Sequence, residues 1–453
     1  MFENFKLFYE GRESLRRGDY GSAVAAFDEI IHQHPDSVEA LFSRGDAFES
    51  SGQFDKASED YSAVIRLAPH EAAAYFNRAC VVQRLQRYEA ALADYSRAIE
   101  LKPDFGKAYF NRGNTFFLLG KLAEAFHDYT EAMRLMPDDA DIVLARGLTF
   151  LTKNELSFAL DEFNKALQLA PQNVRAHGNR GNVLELMGRN NDALAEYSKV
   201  IELAPTDVRG YMNRAFVYHK LGNHNTAIED LTKAIKMSAA TNSNPNTARL
   251  FRQRGSIFEK LGRHQKALDD FDEALCLQPE HTNGRIDRGR IRLALGEYEK
   301  AIEDFEEALK VHPDDCRIWA NCGSAKAELK QYADAVRDYT EAAKLSPNEP
   351  AFYSERGKLF VKMNNTDEAM ADFQKSIALN PAYAPGYAGI GLAYRVNNQI
   401  RQSIEFFTKA IELDPNYADA YQQRSITYSM VGDRAKAEKD SAKAQRLARE
   451  PVR

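Results

Sequence analysis

Apolar positions recur with helical spacing in short blocks along this chain, and the blocks repeat. In AYFNRGNTFFLLG, residues 108–120, the residues Tyr109, Gly113 and Phe116 fall on one helical stripe, and Arg112 falls on the same stripe. Pro35, Pro69, Pro103, Pro137, Pro171 and Pro205 follow one another at intervals of 34 residues. After one step of 40 come Pro245, Pro279, Pro313, Pro347, Pro381 and Pro415, again 34 apart. Periods of this length mark a repeat architecture rather than a set of separate globular domains.

With the proline placed at position 32, thirteen units run from Asn4 to near Pro451. Position 8 is small in every unit, for example Gly11, Ala79, Gly113 and Ser425. Position 20 is alanine except at Ser403, and position 24 is mostly aromatic, as in Tyr61, Tyr95, Tyr129 and Phe163. The pattern predicts two short antiparallel helices per unit, A and B. They meet where a small residue admits a ring from the other helix, and proline stops helix B because it cannot continue the hydrogen-bond ladder. One such pair cannot bury its apolar face alone, so the units must stack.

Position 7 explains the arginine. Arg44, Arg78, Arg112, Arg146, Arg180, Arg214, Arg254, Arg288, Arg356 and Arg424 share it, and each unit carrying one has an acid at position 23, from Asp60 through Glu162 to Asp440. Units one and twelve lack both members, and unit ten sets Cys322 against Asp338. A half-buried guanidinium requires a hydrogen-bonded anion. The covariation inside a unit predicts a structural ion pair between helices A and B of the same hairpin.

The registered units resemble the tetratricopeptide repeat family over essentially the whole chain, and Trp319 supplies the family's favoured tryptophan at position 4. The resemblance implies an all-α fold, a right-handed superhelical α-solenoid of about thirteen helix-turn-helix units. It also implies that positions 2, 5, 6, 9 and 12 line a concave surface. Asn77, Asn111, Asn179, Asn213 and Asn321 stand at position 6, with Asn114 and Asn182 at position 9. A row of amides offers donors and acceptors to the main chain of an extended peptide, or else bonds locally. Phe42, Phe76 and Phe110 at position 5 form an apolar strip, unless the next unit's helix A covers them. Arg249, Arg252 and Arg290 suit carboxylate or phosphate capture, unless Asp287 and Glu259 quench them.

Composition narrows the function. Lys+Arg total 60 against 66 Asp+Glu, a net charge of −6 that argues against a nucleic-acid partner. No run approaches the ~20 apolar residues of a membrane-spanning helix, and the first twenty residues show no secretory signal, so a cytoplasmic location is expected. Cys80, Cys276, Cys316 and Cys322 lack metal or redox spacing, and His219 and His224 lack the i, i+4 spacing of a helical metal site. No phosphate-binding loop, HExxH or nucleophile elbow occurs, so neither catalysis nor a metal nor a cofactor is expected.

The six extra residues near 238–247 divide the repeats into 4–247, units one to seven, and 248–451, units eight to thirteen. They predict a loop extension, and the Ala/Lys/Arg-rich last helix predicts a polar cap. The expected function is a non-enzymatic scaffold or adaptor that binds an extended peptide segment of a partner protein in the concave groove. The alternatives are a ligand-gated regulator and a structural component forming homo-oligomers through its solenoid ends.

Overall fold

Each 34-residue block folds as a helical hairpin, for reasons that repeat with the block. The computed structural model describes residues 2–240 and 246–449. Among them lie twenty-six helices, from α1 (Phe2–Arg16) to α26 (Arg434–Arg449), and no strand. Helix A gives way to helix B through a residue in the left-handed region at position 15 of every unit. Eight of the thirteen are glycine, which reaches this region without a steric cost; the others are Gln86, Asn154, Lys330, Asn364 and Asn398. Helix B ends on a C-cap residue with φ between −123° and −141°, at His34, Ala68, Lys102 and their equivalents. The proline that follows forces this extended backbone on the residue before it. Pro245, at the same position of unit seven, lies outside the described residues.

Inside a hairpin the expected contact forms. In α7 (Gly106–Leu118), a Cβ on Gly113 would fall 2.9 Å from the ring of Tyr129, so the glycine lets the ring of α8 (Leu122–Leu135) seat this close. Ala125 and Tyr129 are fully buried beside it. The apolar interior is a string of small clusters, each built from one hairpin and the next helix, rather than one continuous core.

The chain divides into two compact units, Met1–Asn223 and His224–Arg453. In the first, six hairpins stack in sequence order and α13 (Val208–Lys220) packs on α12 (Asn190–Leu203). In the second, α14 (His224–Ala240) packs on α15 (Thr247–Lys260), and six hairpins follow. In both, the first helices of neighbouring hairpins adjoin, as α7 does α5 (Ala72–Arg84) and α17 (Thr282–Leu295) does α15. Ser238, Ala239 and Ala240 of the insertion belong to helix α14, and Thr247 begins α15; the rest of the expected loop, residues 241–245, lies outside the described residues. On α26, Ala437, Asp440 and Ala444 are buried.

Candidate functional site

The arginines of position 7 fix how far the first helices are free to bind anything else. Nine of the ten bind the position-23 acid of their own hairpin at 2.6–3.1 Å, eight of them in bidentate fashion. The tenth couple, Arg214 and Asp230, falls on either side of the division between the two units. Arg180 reaches Glu196 through one oxygen because His177 Nδ1 sits 2.8 Å from the other.

A further contact has a signal that reading the hairpins singly misses. Except at Arg146, which bonds only Glu162, the remaining guanidinium nitrogen donates to position 25 of the preceding helix B. Arg78 reaches Ser62, Arg112 reaches Ser96 and Arg424 reaches Thr408, each at 3.0 Å, while Arg44 reaches Asp28 at 2.5 Å. Position 25 is a short polar residue at each of these sites. The arginine therefore ties three helices, and its ring neighbours sandwich it: Arg112 lies 5.5 Å from the centroid of Tyr109 and 5.9 Å from that of Phe116. Where unit ten has Cys322, Lys326 one turn further on takes Asp338 at 2.9 Å and position 25, Glu306, at 3.4 Å.

Position 24 holds a second dependence. Its tyrosine hydroxyls emerge on the face of positions 9 and 12 and take acceptors there. Tyr61 donates to Asp46 at 2.7 Å and Glu49 at 3.1 Å, Tyr95 to Gln83 at 2.7 Å, and Tyr129 to Asn114 at 2.9 Å. Burial pushes the Asp46 and Glu49 carboxyls above their ordinary values, against the pull of the Tyr61 hydroxyl.

Against this background the asparagines separate into two groups. Asn77 donates to Asp46 at 3.2 Å, Asn111 to Cys80 Sγ at 3.4 Å, and Asn114 accepts from Tyr129. The side chains of Asn179, Asn182 and Asn213 make no hydrogen bond among the described residues, and all three line one cleft of about 310 Å³ in the first unit. Its floor is Leu148, Tyr197 and Val200, and its rim carries Arg175 and the ion pair of Arg209 with Asp207 at 2.7 Å. It spans α9 (Ala140–Thr152), α11 (Val174–Leu186), α12 and α13.

The position-5 rings are half-buried. Phe42 meets Tyr61 edge-on with centroids 5.5 Å apart, Phe76 lies 5.9 Å from Tyr95, and Phe110 lies 6.0 Å from Tyr129. Phe76 also packs 4.7 Å from Phe105, the residue that caps the start of α7.

In the second unit a cleft of about 550 Å³ is lined by Arg252, Arg290, Asp287, Arg317 and Asn321 among others. Arg252 Nη1 lies 2.7 Å from His281 Nε2, and Arg252 Nη2 lies 3.5 Å from Asp287. Arg290 contacts Glu259 and lies 3.6 Å from Asp287. Asp287 and Glu259 thus stand beside two of the three arginines; Arg249 is exposed. No group of three His, Cys, Asp or Glu able to hold a metal occurs among the described residues, and none of their helices is long and apolar enough to cross a membrane.

Models described as tetratricopeptide repeat match residues 10–72, 106–139, 206–280, 286–350, 350–383, 384–417 and 406–439, and one described as TPR repeat matches 84–120 and 186–222. Among curated proteins no sequence matches. Among solved structures, the chain is similar to one from the APC/C hetero-tetramer Cut9-Hcn1 at 16% identity and a TM-score of 0.44, covering 99% of this chain and 94% of that one. It is similar to yeast Tom70 at 18% identity and a TM-score of 0.36, covering 91% and 99%. It is also similar to YrrB, a TPR protein with an unusual peptide-binding site, at 25% identity and a TM-score of 0.35, covering 40% and 94%. At these TM-scores the likenesses carry no argument about what this chain binds. With repeat models placed along most of its length and thirteen hairpin blocks in register, the chain belongs to the tetratricopeptide repeat family.

Proposed function

We propose that this tetratricopeptide-repeat scaffold binds an extended segment of a partner protein along the exposed face of its first helices, with the main contacts at α11 and α13. The observation that carries this reading is the convergence of Asn179, Asn182 and Asn213 on one cleft while none of them is engaged by the described chain. Each amide offers both a donor and an acceptor, the complement of a peptide group, and none asks for a particular ligand side chain. Asn77, Asn111 and Asn114 contribute by exchanging bonds they already make, which brings a smaller net gain. Phe42, Phe76 and Phe110 offer ring edges to the same segment. The neutralised surroundings of Arg252 and Arg290 favour a polar peptide contact at Asn321 over capture of a free anion.

The test uses labelled peptides selected from a random-sequence display library on the full chain, with affinity read by fluorescence anisotropy. At roughly 0.5–1.5 kcal/mol per hydrogen bond, Asn179→Ala/Asn182→Ala/Asn213→Ala weakens binding by at least about tenfold and leaves the melting temperature in place. Equal affinity for wild type and the triple variant overturns the reading.

A further inference from the structure

Gly178 lies in the interior of helix α11, where glycine costs about 0.5–1 kcal/mol relative to alanine. A glycine is kept inside a helix when another group comes too close for a Cβ, and three residues on, Gly181 shows this: its Cβ would meet Tyr197 at 2.7 Å. Gly178 has no such neighbour. The nearest atom to its Cβ is Val200 Cγ2 at 3.9 Å, so a Cβ fits there without a clash. Packing therefore does not explain the glycine, and the space it leaves does.

The sibling hairpins show what that space is shaped to hold. Gly178 occupies position 5, where the first four units carry Phe8, Phe42, Phe76 and Phe110, each ring packed on the position-24 ring of its own hairpin at 5.5–6.0 Å between centroids. In the sixth hairpin the position-24 ring, Tyr197, is present and its partner is missing, so Tyr197 and Val200 become the floor of the 310 Å³ cleft. On α13, Phe216 lies one turn beyond Asn213 and is 49% exposed, which extends the apolar lining along the same face. The rim supplies charge: Arg175 and Arg209 stand against the single carboxylate of Asp207.

We infer that the vacancy at Gly178 is a specificity pocket for one aromatic side chain of the bound segment. The ligand's ring takes the place of the sibling phenylalanines on Tyr197. Its main chain is held by Asn179, Asn182 and Asn213, and a neighbouring ligand carboxylate is drawn to Arg175 by the positive rim. This rests on the peptide-binding reading above and names the class of segment that binds: extended, with an aromatic residue next to an acidic one.

The test sets three full-length baits, wild type, Gly178→Ala and Gly178→Phe, against the same random-sequence peptide display library, with thermal melting of each bait as the folding control. Wild type and Gly178→Ala are expected to enrich peptides bearing an aromatic residue beside Asp or Glu, and Gly178→Phe, whose own ring fills the pocket, is expected to lose that enrichment while melting no lower than wild type. Replacing the aromatic residue of a selected peptide by alanine is expected to weaken binding to wild type by about tenfold to a hundredfold, the worth of burying one ring. Peptides selected equally by wild type and Gly178→Phe, or a wild-type pool without aromatic enrichment, overturn the pocket and leave the peptide groove standing. A library from which no bait selects any peptide overturns both.

Discussion

Arg112→Ala isolates the interaction on which the stacking of the hairpins depends. Its guanidinium gives two bonds to Asp128, at 2.7 and 2.8 Å, and one to Ser96 at 3.0 Å. The side chain of Arg112 is 17% exposed and that of Asp128 only 1%. Truncation strands the Asp128 carboxylate in the seam between α7 and α8, and removing one partner of a buried pair costs about 3–5 kcal/mol. The partial exposure of Arg112 places the effect near the lower end. The lost Ser96 bond adds on the order of 1 kcal/mol and weakens the attachment of α7 to α6 (Tyr88–Leu101). A long repeat array does not unfold as a two-state system, so a single melting temperature dilutes a local loss. Amide hydrogen exchange resolved by peptide is the suitable assay. Protection in α6, α7 and α8 is expected to fall by about a hundredfold or more, and protection in α1 and α2 (Tyr20–Gln33) to stay as it was. Arg112→Ala/Asp128→Ala removes the stranded charge and is expected to restore part of the loss, a non-additivity that reports direct coupling. Unchanged exchange in α7 and α8, or a double variant as poor as the sum of the two singles, refutes the ion-pair account.

Asp46→Asn keeps an acceptor for the Tyr61 hydroxyl and removes a carboxylate whose folded-state pKa is raised by burial, against the opposing pull of the Tyr61 hydroxyl, the Asn77 amide and Arg12. Because the raised pKa makes the ionised form costly, the variant should be the more stable at pH 7. In paired melts its advantage should shrink as pH falls through the raised value toward the ordinary 3.8; an advantage that does not change with pH contradicts the assignment. Cys322 is fully buried with its thiol pushed up to about 12, chiefly by desolvation, whereas Cys276 is exposed. A thiol reagent at pH 8 should therefore label Cys276 at once and Cys322 only after unfolding, as mass spectrometry would show. Lys330 sits at φ 60°, where its siblings are mostly glycine, so Lys330→Gly should stabilise the turn after α19 (Cys316–Glu328) by up to about 1 kcal/mol, read as slower exchange in that hairpin.

Much of this architecture is legible in the sequence because the same contacts are written many times. A single Arg112 on an apolar stripe is an anomaly; ten arginines with ten acids sixteen residues on are a geometry, and nine of those couples are ion pairs in the structure. The bond to position 25 escapes a reading confined to one hairpin, since Ser96 precedes Arg112 by sixteen residues and belongs to the block before. The acceptors at positions 9 and 12 escape for another reason. They vary, as Asp46 with Glu49, Gln83, and Asn114, and only the direction of the tyrosine hydroxyl explains why a polar residue stands there. The asparagines look alike in sequence and differ in the structure because their neighbours differ. Asn77 has Asp46 within reach and Asn111 has Cys80, whereas Asn179 faces the space that Gly178 leaves open.

Two sets of residues therefore share each first helix without sharing a task. Positions 7 and 8 look inward, and their partners at 23, 24 and 25 set the spacing of successive hairpins, so a change there moves everything stacked beyond it. Positions 5, 6 and 9 look outward; position 5 changes from Phe110 to Gly178, and the asparagines at 6 and 9 change their partners, while the arginine beneath them still bonds its own acid, through two oxygens at Arg112 and one at Arg180, and the helix before. The inward set holds the helix in place whatever the outward set becomes. That independence has a measurable form. Variants of the outward set at α11 and α13 should alter peptide affinity at constant hydrogen-exchange protection, and variants of the arginine set should alter protection first and affinity only where the affected hairpin carries the contact. Arg424→Ala, in the second unit and far along the chain from Asn179 and Asn213, should then loosen α25 (Ala418–Met430) and α26 and leave affinity at the α11 cleft unchanged. A loss of affinity in that variant would mean that the hairpins act as one body rather than as neighbours coupled only to the next.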